Sequence, residues 1–231
     1  MKNLILAIIV LFNFSYAQED SYPTINGCKL QPNAYCPKAD LSNQNLKDLD
    51  LQNSNFEGAN FEGANLDGTD LSKSKLKNAN FKNAKLRHSI LKQADMFKVN
   101  LENANLSRAD LRHTNLKAVT AFNANFDGIN GWALFGQGSK YDGSSFHGAL
   151  LNHARMSGAS MKNCDLQATN FEAAWMTKVN FEGSNLSNAN LQETKLPDSS
   201  LFKANMTGAR IHFANLSGVY MEECINCPVN W

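Results

Sequence analysis

Histidine and cysteine are the residue types in this chain best suited to nucleophilic, acid-base or metal chemistry, and the chain has five of each. The histidines are His88, His113, His147, His153 and His212. None of them forms an HExxH motif, and the chain contains no GxSxG, P-loop or GxGxxG motif. We therefore predict no catalytic residue, no metal site and no cofactor, and we expect that the protein is not an enzyme.

The cysteines group near the two ends of the chain. Cys28 with Cys36, and Cys224 with Cys227, are disulfide candidates, and Cys164 is left over. The Cys224–Cys227 pair is also a CxxC motif, for which redox catalysis or half a zinc site is the alternative. No thioredoxin-like pattern and no second ligand pair accompany it, so a structural disulfide is the favoured interpretation.

The first seventeen residues read as a cleaved secretory leader. Lys2 is followed by the apolar run Leu4 to Phe12, and Ser15 and Ala17 are small residues just before the predicted cut. Removing Lys2 from 22 Lys and Arg leaves 21 against 21 Asp and Glu, a net charge of about zero. We predict an exported protein, periplasmic or extracellular, that forms disulfides and has no transmembrane segment after the leader is removed.

Bulky apolar residues recur at every fifth position over most of the chain. The series starts Leu41, Leu46, Leu51, Phe56, Phe61 and Leu66, runs to Leu116, and resumes from Tyr141 to Met221. Two residues before each bulky centre lies a small one, such as Ala59 or Ala104, and positions two apart in extended chain face the same way. This period fits neither a helix nor a simple strand, but it fits short segments that turn and stack into a coil.

The repeated word often begins with Ala followed by Asn or Asp and then Leu, as in Ala39-Asp40-Leu41, Ala64-Asn65-Leu66, Ala104-Asn105-Leu106 and Ala189-Asn190-Leu191. This word resembles that of the pentapeptide-repeat family. The resemblance implies an all-β fold, a right-handed quadrilateral β-helix of about nine coils with a short N-terminal cap. The expected organisation is a leader over 1–17, a cap segment over 18–38, the β-helix over 39–225 and a tail over 226–231. The stretch from Glu222 to Trp231 is too short for the helical dimerising tail of some relatives.

The middle of the repeat departs from the pattern. Gly131 and Gly136 stand where bulky centres belong, while Ile129 and Leu134 occupy the small positions. One interpretation is a ten-residue loop that leaves the coil. Because large and small residues have exchanged places and the inward volume is nearly conserved, we favour continuous coils with swapped packing.

Counting twenty residues per turn assigns outward apolar residues to sides of the rod. Ile90, Trp132 and Leu150 fall on one side, and Phe97, Phe135, Trp175 and Tyr220 are expected on the next. An exposed apolar stripe typically marks an interface, so these seven residues are the candidate interface for a protein partner or a homodimer.

Eleven basic residues and only three acidic ones lie between Leu71 and Thr120. The candidate anion-binding residues in this basic band, 73–117, are Lys73, Lys82, Lys85, Arg87 and Lys92. The band could attract an anionic polysaccharide or another anionic envelope or extracellular ligand, although side chains distributed over all four sides cannot hold one ligand together.

Three functions follow from these features. The favoured one is an exported non-enzymatic scaffold that binds proteins through its outer faces. The first alternative is a binder of anionic ligands through the basic band. The weaker alternative, taken from relatives that imitate DNA, is an interaction with a topoisomerase; it requires a continuous acidic surface, and nucleic acid itself is not an expected partner.

Overall fold

The computed structural model of the chain describes residues 22–228. The predicted leader therefore lies outside the described residues. Residues twenty apart pair in parallel, from Tyr35 with Asn55 to Asn205 with Ile225. Each word makes the same cross-coil bonds: the Leu41 amide donates to Asn60 O at 2.8 Å, and the Asn60 amide donates to Ala39 O at 2.9 Å. The fold is the expected right-handed quadrilateral β-helix, with about nine and a half turns between Tyr35 and Ile225.

Four sides result from four words per turn. We number them by their first bulky centre and every twentieth residue after it: side 1 from Leu41, side 2 from Leu46, side 3 from Leu51 and side 4 from Phe56. On side 2, Leu66, Leu86 and Leu106 lie in one interior file with no exposed surface. The predicted alternation of bulky and small inward residues is thereby confirmed, and it fills the tube from end to end.

The second residue after each bulky centre has a positive φ. Asn43 (56°), Lys73 (57°) and Gly63 (65°) are examples, and glycine or non-β-branched residues occupy this position throughout the coil. A left-handed conformation is costly for β-branched side chains and least costly for Gly and Asn, which explains the composition of the turn. The words can therefore turn a corner every five residues without breaking the stack.

The Asn or Asp before a bulky centre closes the turn locally. The Asn55 Oδ1 accepts from the Glu57 amide at 3.0 Å, and the Asp70 Oδ1 accepts from the Ser72 amide at 2.8 Å. These residues form Asx turns, because their side-chain oxygen reaches the amide two residues ahead.

In three words without an Asn or Asp at that place, the bond comes from the preceding coil. There the acceptor is a carboxylate twenty residues earlier, and the distances are 2.8–3.0 Å. The pairs are Arg87 N with Asp67, His147 N with Asp127, and Lys162 N with Asp142. The turn amide is thus satisfied by a neighbouring coil where its own word cannot supply the acceptor.

Polar residues at small inward positions are also hydrogen-bonded. The Ser74 Oγ donates to Leu51 O at 3.0 Å and accepts from the Ser54 amide at 3.2 Å. Buried hydroxyls need such partners, and the stacked backbone supplies a carbonyl and an amide at each level. Serine and threonine can therefore replace alanine in the core without leaving an unpaired hydroxyl.

The coil is continuous through the disturbed middle. Asn130 pairs with Asp110 of the preceding coil and with Leu150 of the next, so no loop leaves the rod there. A Cβ at Gly131 would lie 2.5 Å from Leu134 Cδ2 and 2.7 Å from Leu151 Cδ2, so these two side chains fill the space of the missing one. The prediction of swapped packing is confirmed.

The two ends are closed differently. Strand β1 (Thr24–Ile25) pairs antiparallel with β2 (Cys28–Lys29), and the Cys28–Cys36 disulfide fixes this hairpin to the first coil. Coil pairing starts at Tyr35, earlier than the boundary at residue 39 drawn from the sequence. At the other end Cys224 and Cys227 form the second disulfide, and the last three residues of the predicted tail lie outside the described residues.

Across residues 22–228, the structure has no helix of the length and apolarity that a membrane span requires.

Candidate functional site

An apolar edge follows the boundary between sides 3 and 4. On side 3, Ile90, Trp132 and Leu150 are 39%, 42% and 47% exposed, as the sequence predicted for their side. On side 4, Trp175 is 52% exposed and Phe135 is half-buried. We define the apolar edge as these five residues. Exposed side chains of this size along one edge form a larger apolar surface than isolated ones would.

Two of the seven candidate interface residues do not join this edge. Tyr220 pairs with Ser200, in the file of side 1, and its ring stacks on Phe202 with centroids 5.8 Å apart. Its predicted place on side 4 is wrong, because Tyr220 stands directly before Met221, a bulky centre of side 1. Phe97 follows Met96, so it lies in the turn between side 4 and side 1, with the Lys98 ammonium 5.2 Å from its ring centre.

Aromatic and cationic side chains alternate along side 4. Phe135, Arg155, Trp175 and Lys195 occupy one position of the word on four successive coils. The Arg155 guanidinium lies 5.6 Å from the Phe135 ring centre and 5.9 Å from that of Trp175, and the Lys195 ammonium lies 4.1 Å from the latter. These are cation–π distances. We call these four residues the cation–ring ladder.

Sequence reasoning missed the two cations of this ladder. Arg155 and Lys195 lie twenty residues before and after Trp175, so the period of twenty residues per turn could have placed both cations beside its ring. They were missed because only apolar residues were assigned to sides. Lys117 adds a third cation, 5.4 Å from the Phe135 ring centre.

The ring of Trp132 lies between two histidines of neighbouring coils. His113 and His153 contact it edge to face, with centroids 4.8 Å and 5.8 Å from the indole. Ala133 occupies the intervening level of the histidine file, which leaves room for the large ring. Trp132 is therefore held in one orientation, although 42% of its surface is exposed.

The five candidate anion-binding residues do not converge. Lys73 and Lys92 lie on side 3, Lys85 and Arg87 on side 2, and Lys82 on side 1. Lys82 also pairs with Glu102 at 3.1 Å. The basic band wraps the rod, so the set as predicted cannot hold one ligand.

Arg87 is the member of this set with the strongest partner. Its Nε and Nη2 donate to Asp67 Oδ2 at 3.0 Å and 2.5 Å, and the Asp67 side chain is 9% exposed. Burial alone would raise the pKa of Asp67, but the hydrogen bonds and charge of Arg87 outweigh it and hold that pKa below its usual value. The guanidinium of Arg87 is thus fixed in place while half of its side chain faces solvent.

Family models cover most of the coil. The model described as pentapeptide repeats (8 copies) matches residues 33–63, 54–93, 64–103, 94–130 and 137–167, and the model described as a pentapeptide repeat region matches 154–226. The chain belongs to the pentapeptide-repeat family. The resemblance read from the repeated word is confirmed, and members of this family are generally non-enzymatic structural or interaction proteins.

Several solved pentapeptide-repeat proteins are similar to this chain. HetL, from the cyanobacterium Nostoc and involved in heterocyst differentiation regulation, is 22% identical over 83% of this chain and 88% of its own, with a TM-score of 0.41. A protein of the Arabidopsis thaliana thylakoid lumen is 33% identical over 41% and 67%, with a TM-score of 0.40. QnrB1, a plasmid-mediated fluoroquinolone resistance protein, is 18% identical over 83% and 90%, with a TM-score of 0.41. None of the curated proteins matches the chain significantly.

The free thiol of this pentapeptide-repeat protein is buried. Cys164 is 2% exposed; its amide donates to the Ser184 Oγ at 3.0 Å, and its Sγ lies 3.1 Å from Tyr141 O. Burial raises the pKa of Cys164 to about 12, so its thiol stays protonated at neutral pH. The residue fills a small inward position, two residues before the bulky centre Leu166. Within residues 22–228, no three His, Cys, Asp or Glu side chains are grouped to hold a metal ion.

Proposed function

We propose that this pentapeptide-repeat protein is an exported, non-enzymatic scaffold that binds another protein through its apolar edge. The observation that carries the proposal is the cation–ring ladder on side 4, beside the exposed Trp132 and Leu150 of side 3. Tryptophan and arginine are among the residues most enriched at the energetic centres of protein interfaces. Export is supported by the leader predicted over residues 1–17 and by the Cys28–Cys36 disulfide.

The chemistry of the edge favours a partner with acidic and apolar residues. Arg155, Lys195 and Lys117 stand next to the rings and supply positive charge along the whole ladder. A second copy docked edge to edge would bring these cations together, and like charges in contact oppose association. The favoured occupant is therefore a different protein with an acidic surface.

A capture experiment tests this proposal. The mature chain is immobilised and exposed to the envelope fraction and medium of the exporting cell, in parallel with Trp175→Lys and Tyr35→Lys. Tyr35 is the matched control, because it occupies the same position of the word on side 4, seven coils away, and is 78% exposed. We expect one acidic protein to be retained by the wild type and the control, with its affinity reduced at least tenfold by Trp175→Lys.

Other outcomes decide against the proposal. Equal capture by all three chains would place the binding surface elsewhere. A dimer of the purified mature chain that dissociates in Trp175→Lys would make the occupant a second copy. The topoisomerase alternative is not favoured, because the basic band interrupts the acidic surface that DNA mimicry requires.

A further inference from the structure

Side 2 carries an open pocket at its corner with side 3. Its volume is about 490 Å³, within the range of ligand sites in proteins. Two adjacent files of the turn form it: one contains Arg87, Ser107 and Asp127, and the other contains Arg108 and Gly128. The short Ser107 and the missing side chain of Gly128 leave a depression between longer neighbours.

The pocket offers one guanidinium without an ion-pair partner. Arg108 has no carboxylate within 4.0 Å among the described residues, whereas Arg87 is paired with Asp67 through its Nε and Nη2. His88 and His147 line the same space. A guanidinium presents several donors in one plane, which matches the oxyanions of carboxylate and sulfate groups.

The pocket also contains hydrogen-bond acceptors. Asp127 Oδ1 accepts from the Ser145 hydroxyl and from the His147 amide at 2.9 Å, whereas its Oδ2 accepts no hydrogen bond from residues 22–228. Asn125 adds an amide group. A simple anion would be repelled by Asp127, whereas a ligand with both an oxyanion and hydroxyl groups can satisfy both kinds of residue.

A second pocket continues the first toward the N-terminal end. Its volume is about 280 Å³, and it shares Arg87 and His88 with the larger one. Lys47 and its ion-pair partner Asp48 line the second pocket together with Asp67, and His147 lines the opposite end of the first pocket. Lys47 and His147 are five coils apart, so the groove is about 24 Å long at the usual strand spacing. Its length suits a chain of several sugar units better than a single small anion.

We propose that this groove binds a segment of an acidic polysaccharide. Carboxylate or sulfate groups of the ligand contact Arg87 and Arg108, and sugar hydroxyls donate to Asp127 and Asn125. The site is distinct from the apolar edge on sides 3 and 4. It also replaces the predicted set of anion-binding residues, of which it retains Arg87.

Titration calorimetry at physiological salt on the mature chain tests this proposal. The probes are a trigalacturonate, its uncharged methyl ester, a heparin tetrasaccharide, inorganic sulfate and a single-stranded oligonucleotide. Arg108→Gln removes the unpaired guanidinium, with Lys178→Gln as its control at the same position of the word on side 4. Gly128→Asn fills the pocket, with Gly148→Asn as its control.

The two glycine variants are matched in backbone. Gly128 and Gly148 have φ of 61° and 63°, in the region that Asn adopts elsewhere in this coil, and neither has an atom closer than 3.6 Å to an added Cβ. Only Gly128 lines the pocket. Both variants should therefore fold, and only one should lose binding.

We expect saturable binding of at least one acidic oligosaccharide, weakened at least tenfold by Arg108→Gln and by Gly128→Asn but not by either control. The trigalacturonate and heparin arms distinguish carboxylated from sulfated ligands. The proposal is overturned if neither oligosaccharide binds, if both pocket variants bind like the wild type, or if sulfate or the methyl ester binds as tightly as the acidic chains. Tighter binding of the oligonucleotide than of either glycan would also overturn it.

Discussion

The hydroxyl of Tyr141 lies in the space that a side chain at residue 136 would occupy. A Cβ built on Gly136 would be 2.8 Å from that oxygen. Tyr141 is fully buried, and its hydroxyl has no hydrogen-bond partner among residues 22–228. Burial raises the pKa of Tyr141, and the nearby Ser139 hydroxyl donates its proton to Leu116 O rather than to the phenol. The missing side chain of Gly136 thus permits the largest inward residue of the coil.

Gly136→Ala should lower the free energy of unfolding by about 1–3 kcal/mol, because the added methyl overpacks the core against Tyr141. Tyr141→Phe should leave stability unchanged or raise it by up to about 2 kcal/mol, because it removes an unpaired buried hydroxyl. In the double variant, Gly136→Ala should cost at least about 1 kcal/mol less than alone. Urea denaturation measures all four chains, and additive effects would contradict the packing described for this layer.

Asp67→Asn should destabilise the protein by about 1–3 kcal/mol, because a buried carboxylate loses its charged hydrogen bonds to Arg87. The pKa of Asp67 is lowered in the folded state, so its contribution is present above the unfolded pKa of about 4 and is lost as pH falls through the folded value. Stability measured from pH 7 to pH 2 should therefore fall less steeply in the variant. Asp48→Asn, at an exposed carboxylate beside Lys47, is the control and should follow the wild type.

The Cys164 thiol should be unreactive in the folded chain. Its burial and its raised pKa both limit attack on an aromatic disulfide reagent at pH 8, so we expect no thiol released before unfolding and one per chain afterwards. Cys164→Ser should change stability by less than about 1 kcal/mol, because Ser144 and Ser184 occupy the same inward file one coil away and are hydrogen-bonded there. Rapid reaction of the native thiol would show that this file opens to solvent.

Removing the N-terminal disulfide should cost more than removing the C-terminal one. Replacing Cys28 and Cys36 by Ala should lower stability by about 2–3 kcal/mol, since the bridge closes eight residues and secures the hairpin cap. The same change at Cys224 and Cys227 should cost less than about 2 kcal/mol, because they are only three positions apart. Thermal and urea unfolding of the two double variants checks the order, and a reversed order would mean that the last coil depends on its disulfide.

The core was predictable from sequence because its period is local. A bulky residue every fifth position and a small one two residues before it are enough to identify the inward files, even at Gly131 and Gly136, where the sizes are exchanged. The surface was less predictable, because its groups combine across coils. Arg155 makes cation–π contacts with Phe135 and Trp175, and Asp67 forms an ion pair with Arg87; in each case the partner is twenty residues away in the sequence.

The predicted place of Tyr220 beside Trp175 is wrong. Tyr220 pairs with Ser200 and stands directly before Met221, so the count of twenty residues per turn, correctly applied, puts it on side 1. The pocket on side 2 could not be predicted from the sequence, because it depends on positions with small or missing side chains as much as on charged ones. Ser107 and Gly128 match no functional motif, yet they create the space between Arg87 and Asp127.

The exchanged layer at Gly131 and Gly136 has a consequence for how the rod assembles. At most other levels the inward files contain Leu, Phe or Met, so a growing coil displaced by a whole turn would still stack bulky apolar residues on one another. At this level Leu134 and Leu151 interlock over one glycine, and Tyr141 requires the other, so only one alignment fits. We therefore expect this layer to oppose a shift of register by one turn as the coil folds.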